Sequence, residues 1–368
     1  MNTIERLDLT PYVLPLTRVW TSSRGNFRGR QGWLVTVACG GVRGYGDCAP
    51  QPEAGTETHD AAAQRLLEHR ARCPGQTLAE ALDAVVRGGR GTTPAADFAL
   101  DCALQDVQSR LAGTTLRAWL DSGATDRVPV NGALGPLIEA TRADLDHAAR
   151  TGLRVLKLKV GIGTPEHELQ RLSELAATLP VGIALRLDAN GAWDPGTATQ
   201  VLIALRALPV ESVEEPLRDP DWTVLARLQS MTPFPLALDE SLPPLGDSLD
   251  PDRFPVRRAV LKPAAIGGLR RTLTLARRLQ AAGIEVVITG LVESAAGLWP
   301  TAQLAAAIGS RIPQGLATAD WLAQDLGVPP RHIGGHLQLP SADGSGFTPY
   351  GPTAETATTK PSNGSRSS

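Results

Sequence analysis

From residue 8 to residue 48 apolar and polar positions alternate, and Gly40-Gly41 separates Trp33–Ala38 from Val42–Gly46. A period of two with paired glycines between runs predicts antiparallel strands joined by tight turns. Between Trp20 and Arg30 the alternation gives way to a polar stretch with two glycines and three arginines, Arg24, Arg28 and Arg30. Such a stretch has nothing to hold it in a core and predicts a mobile lid. The apolar period then becomes helical over 57–72, 78–88 and Pro94–Leu111, the last rich in Ala and Leu and suited to close packing.

A new register begins near residue 126. From Val128-Pro-Val-Asn-Gly132 onward, short apolar runs alternate with helical patterns at about 137–151, 165–179, 195–208, 220–230, 267–283 and 294–308. That order predicts parallel βα units. Residues 331–350 hold one more strand-like stretch, and Pro352–Ser368 is polar, without apolar periodicity. The pattern divides the chain into an α+β capping domain (1–125), a barrel (126–325), a segment returning towards the cap (326–351) and a disordered tail (352–368).

Within the barrel region five charged residues close successive strand-like runs: Lys159, Asp188, Glu214, Asp239 and Lys262. Their spacing, 23 to 29 residues, is about one strand, one helix and two short loops. In a parallel barrel the C-terminal strand ends share one mouth, so three carboxylates and two amines converge there. Asp188, Glu214 and Asp239 offer only hard oxygen donors, a set suited to Mg²⁺, with Mn²⁺ as a substitute. Glu215 and Glu240 stand beside two of these acids and are placed to hold a neighbouring lysine. Lys157 and Lys159, two apart on one strand, leave the same face; like charge from each other and from a nearby divalent cation is expected to lower the amine pKa towards that of a usable base.

Composition narrows the function classes. With 42% apolar residues and a net charge of −2 from 36 basic and 38 acidic side chains, the chain has no basic excess to drive nucleic-acid binding. No eighteen-residue apolar run or charged-then-apolar leader is present in the sequence, which points to a cytoplasmic enzyme with no membrane partner. Cys39, Cys48, Cys73 and Cys102 lack metal-site spacing and read as reduced, buried small hydrophobes. The six histidines and seven tryptophans are scattered and form no cluster in the sequence.

Taken in order, Lys157-Leu-Lys159, Asp188-Ala-Asn190, Glu214-Glu-Pro216, Asp239-Glu-Ser241 and Lys262-Pro263 resemble the enolase superfamily, muconate-lactonizing subgroup. Arg186–Trp193, Gly44–Pro50 and Ile288–Gly297 are most similar to the o-succinylbenzoate synthase family of menaquinone biosynthesis. The resemblance implies a modified TIM-type (β/α)7β barrel under an α+β cap. It also implies Mg²⁺-assisted removal of a proton α to a carboxylate, followed by syn loss of hydroxide from a small-molecule carboxylate substrate. In that scheme Lys159 is base and then acid, Lys262 stabilises the intermediate from the opposite face, and Lys157 tunes Lys159. Arg186 and Asn190 orient substrate or ligands, and the arginines of the lid, Arg24 first, screen the substrate's carboxylates. The same residues are compatible with N-succinylamino-acid racemisation, dipeptide epimerisation or cycloisomerisation. A metal-free barrel with a Schiff-base lysine is the alternative from another class.

Overall fold

A computed structural model describes residues 2–22, 25–88 and 92–351. The polar tail expected from Pro352, and Arg24, lie outside the described residues. Strands β1 (Ile4–Ser22), β2 (Gly25–Cys39) and β3 (Val42–Cys48) form an antiparallel sheet in that order. Gly40 and Gly41, both at positive φ, make the turn between the last two. The polar stretch expected to be a lid is, in its described part, a continuation of the hairpin, with Trp20 paired to Phe27. The physical reason is distant: Trp20 packs edge-on against Trp321 at 4.6 Å, and Ala323 N donates to Pro15 O at 2.9 Å.

Three helices cover this sheet, α1 (His59–Arg72), α2 (Leu78–Gly88) and α3 (Pro94–Leu111), followed by the short α4 (Leu116–Leu120). Thr58 caps α1 by accepting from Ala61 N. Helix α3 is buried nearly all round because it lies between the cap sheet and the barrel. Its polar residues face specific partners: Asp101 accepts from Leu269 N at 2.6 Å, and Asp106 accepts from Ser345 N at 2.6 Å and Tyr45 N at 3.2 Å. Buried carboxylates are tolerable where backbone donors replace water in this way.

The barrel alternates β4 (Arg127–Pro136), α5 (Arg142–Arg150), β5 (Val155–Lys159), α6 (Pro165–Ala177), β6 (Ala184–Asp188), α7 (Pro195–Leu205), β7 (Val210–Glu214), α8 (Trp222–Ser230) and β8 (Leu236–Leu238). It continues with β9 (Arg258–Leu261), α9 (Pro263–Ile266), α10 (Leu269–Ala281), β10 (Glu285–Ile288), α11 (Ala295–Ile308) and β11 (Gln314–Ala317). Neighbouring strands from β4 to β10 pair in sequence order, and β11 closes the ring by pairing in parallel with β4. Between β8 and β9 the crossover is made of 3₁₀ turns, because prolines at 243, 244 and 251 and Gly246 disfavour a longer helix. Side chains cap the helix starts: Thr141 and Asp144 form a capping box on α5, which begins at Arg142 rather than near 137, and Asp194 caps α7 just before Pro195.

After the barrel, β12 (His332–Ile333) and β13 (His336–Gln338) form a hairpin whose second strand pairs antiparallel with β4. The chain beyond it touches the cap: Leu116 N donates to Gly344 O at 2.8 Å and Arg110 to Phe347 O at 3.1 Å. All four cysteines are free and buried. Among the described residues no helix is long and apolar enough to cross a membrane.

Candidate active site

Each strand-end residue sits where the chain leaves the barrel wall. Lys159, Asp188 and Glu214 are the last residues of β5, β6 and β7, while Asp239 and Lys262 lie one residue past β8 and β9. Strand register aligns them, with Lys159 opposite Asp188 and Asp188 opposite Glu214. Both lysines of β5 point inward as the alternation demands. Lys157 Nζ lies 2.8 Å from Asp188 Oδ2 and 2.6 Å from Glu214 Oε1, and Lys159 Nζ lies 2.6 Å from the same Asp188 oxygen. Across the mouth Lys262 Nζ lies 2.6 Å from Asp239 Oδ2 and 3.1 Å from Glu240 Oε1.

Burial disfavours the Lys157 ammonium, but Asp188, Glu214 and Asp239 outweigh it and hold its pKa above the ordinary lysine value. Lys262 follows the same pattern, opposed by burial and raised by Asp239 and Glu240. Lys262 lowers the Lys157 pKa by less than Asp188, Glu214 and Asp239 raise it. Asp188 is driven the other way: burial works against its charge, yet Lys157 and Lys159 hold it well below the usual carboxylate range.

Glu215 and Glu240 have different roles. Glu240 holds Lys262, as its place beside Asp239 suggests, and also accepts from Asn190 Nδ2 at 3.1 Å. Glu215 pairs with no lysine among the described residues; it accepts from Asp239 N at 2.7 Å and from the Ser241 hydroxyl, so it shapes the turn after β8. Burial and then Glu240 push its carboxyl up to about 7. Asn190, at φ 46, and Glu215, at φ 44, both hold left-handed backbone at the mouth, a conformation that survives only where surrounding contacts enforce it.

Four buried carboxyls (Asp188, Glu214, Glu215 and Asp239) and the half-buried Glu240 face the amines of Lys157, Lys159 and Lys262. The surplus of acidic side chains over amines and the oxygen-only donor set fit a hard divalent cation. The acids are contiguous rather than gathered round a point, with the Lys157 ammonium between Asp188 and Glu214. Among the described residues no three His, Cys, Asp or Glu side chains already form a cation cage.

The lysines open into a cavity of about 560 Å³ between barrel and cap. Its floor includes Asn131, Asn190 and Glu240, its barrel wall Leu291 and Val292, and its cap side Trp20, Phe27 and Gln51. Lys159 Nζ lies 5.8 Å from the Trp20 ring centroid. Of the lid arginines, Arg28 is exposed and Arg30 is buried, donating to Pro50 O at 3.5 Å and Ala49 O, so Arg30 braces the turn that lines the cavity. Arg186 does not line the cavity. It lies deeper in the barrel, donating to Glu211 at 3.0 Å, Asn131 Oδ1 at 3.0 Å and Pro313 O at 3.0 Å. Sequence reasoning overlooked Asn131, which lies mid-strand in β4 just before Gly132. The cap residues Phe27 and Gln51 gave no signal, because only the docking of cap on barrel brings them to the mouth.

Two family models match: "Enolase C-terminal domain-like" over residues 140–352 and "MenC, N-terminal domain" over residues 4–107. An o-succinylbenzoate synthase from Desulfotalea psychrophila is 30% identical over 340 residues, covering 83% of this chain and 91% of that protein. A chloromuconate cycloisomerase from Cupriavidus pinatubonensis is 29% identical, covering 73% and 74%. A dipeptide epimerase from Enterococcus faecalis V583, solved in complex with Mg and the dipeptide L-Leu-L-Tyr, superposes with a TM-score of 0.84 at 24% identity, covering 94% of this chain and 99% of that one.

Proposed function

Since the chain belongs to the enolase superfamily, we propose that it is an o-succinylbenzoate synthase, dehydrating 2-succinyl-6-hydroxy-2,4-cyclohexadiene-1-carboxylate to 2-succinylbenzoate. The observation that carries this reading is the pair Lys159 and Lys262, which enter one cavity from β5 and β9 with a row of buried acids between them.

Asp188, Glu214 and Asp239 would hold Mg²⁺, or Mn²⁺ in its place, which supplies Lewis-acid stabilisation of a substrate carboxylate. Lys159 takes the proton α to that carboxylate and returns it to the departing hydroxyl, so a C–H and a C–O bond break and water leaves from one face. Asn190, accepting from Lys159 Nζ at 2.7 Å, sets the direction of that amine. Lys262, held 2.6 Å from Asp239 and 3.1 Å from Glu240, faces the negative charge that develops on the ring side opposite Lys159. Lys157 adds positive field beneath. The apolar ring would rest against Trp20 and Phe27 on the cap side of the cavity.

A second reading, racemisation or epimerisation of an acylated amino acid, is favoured by the placing of two lysines on separate walls, since each can serve one face of an α-carbon. Incubation with the cyclohexadiene substrate and Mg²⁺ separates the two. Rising aromatic absorbance supports dehydration. No aromatic product, together with solvent deuterium entering the α position of N-succinylamino acids or dipeptides, overturns it.

A further inference from the structure

The cap motif Gly44-Tyr-Gly-Asp47-Cys-Ala-Pro50 contributes no side chain to the chemistry above, yet its acid is buried at the joint between cap and barrel. Asp47 Oδ2 accepts from both Ser294 N and Ser294 Oγ at 2.8 Å, linking residues 247 positions apart. Its other oxygen accepts from the Tyr12 hydroxyl on β1. Gly297, in the first turn of α11, admits this approach: a Cβ there would lie 3.1 Å from the Asp47 Cβ and 2.8 Å from the Glu293 Cβ.

Ser294 ends the segment that forms the barrel wall of the cavity. Within it Val292 has φ 59, a left-handed conformation that is an outlier for a β-branched residue. Two sets of contacts enforce it. Glu293 folds back to accept from Leu291 N at 2.8 Å, and Val292 packs with Leu14, Trp321 and Leu322 in a small cluster that Tyr12 also joins. Asp47 therefore ties the strained wall to the cap strand that carries Tyr12 and, further along, Trp20.

We propose that Asp47 is a positioning residue that holds the Gly290–Val292 wall in place, and that this wall selects for the distal arm of a carboxylate substrate. The selectivity half rests on the dehydratase reading; the positioning half does not.

The full-length protein with Mg²⁺ tests both halves. In Asp47→Asn, amide hydrogen exchange of peptides covering 289–296 should rise at least about tenfold while α3 stays protected; unchanged exchange at 289–296, or a uniform rise across the cap, overturns the positioning role. Calorimetric titration with 2-succinylbenzoate and with benzoate, which lacks the arm, should show the wild-type preference for the armed ligand reduced about tenfold in the variant, with benzoate affinity held. A variant that is less heat-stable yet keeps the wild-type preference overturns the selectivity role. A wild type with no preference also overturns that role and counts against the dehydratase reading, while exchange still decides positioning. Ser294→Ala, which removes only the hydroxyl bond, should shift both readouts in the same direction by less and serves if Asp47→Asn fails to fold.

Discussion

Lys159 and Lys262 are joined across the barrel mouth by two side chains. Lys159 Nζ donates to Asn190 Oδ1 at 2.7 Å, Lys262 Nζ donates to Glu240 Oε1 at 3.1 Å, and Asn190 Nδ2 donates to that same Glu240 oxygen at 3.1 Å. The two amines are thus held at fixed separation by hydrogen bonds from neighbouring strand ends, the kind of preorganisation that proton transfer and charge stabilisation both require.

The two lysines should fail differently. Lys159→Ala is expected to lower turnover by about 10²–10⁴ and to stop deuterium exchange at the substrate's acidic carbon. Lys262→Ala, losing an electrostatic partner, should lower turnover by about 10²–10³ and retain slow exchange. Exchange followed by NMR decides between them; equal retention of exchange in both variants would remove Lys159 as the base.

Chelation should abolish activity and Mg²⁺ should restore it. A readout independent of turnover is thermal: a cation bound only by the folded state raises the midpoint, by about 2.7 kcal/mol of stabilisation at a hundredfold excess over Kd. Asp239→Asn should reduce that Mg²⁺-dependent shift. A midpoint unaffected by Mg²⁺ in the wild type would count against a metal centre at these acids.

Arg186 should matter for folding. It is buried between Glu211, Asn131 and Pro313, and Glu211 also pairs with Arg258 at 2.6 Å. Removing one partner of such a network leaves the other charge poorly compensated, so Arg186→Met is expected to cost about 3–5 kcal/mol in urea unfolding. A variant of native stability with a raised KM would instead return Arg186 to the substrate.

The cap sheet and α3 are packed through Gly46. A Cβ at that position would fall inside contact distance of Ala99 O. Gly46→Ala should therefore destabilise by about 1–3 kcal/mol through overpacking, measured by denaturant midpoint. A neutral result would mean the sheet and helix can separate slightly without loss.

What the sequence determined by itself is the barrel rhythm and the order of its charged strand ends. Val155–Lys159 and Val210–Glu214 were legible to the residue because side-chain alternation is local. Only the tertiary structure decided the state and destination of the charges. Whether repulsion between Lys157 and Lys159 prevails depends on Asp188 and Glu214, which approach from other strands. Arg186 leaves β6 on the same inward face as Asp188, yet it is claimed by Glu211 deeper in the barrel. The stretch after Trp20 looked unsupported because its support, Trp321, lies three hundred residues away. A periodic pattern encodes which face of an element is buried; ion pairing and docking are set by distances between elements, and those exist only once the chain has folded.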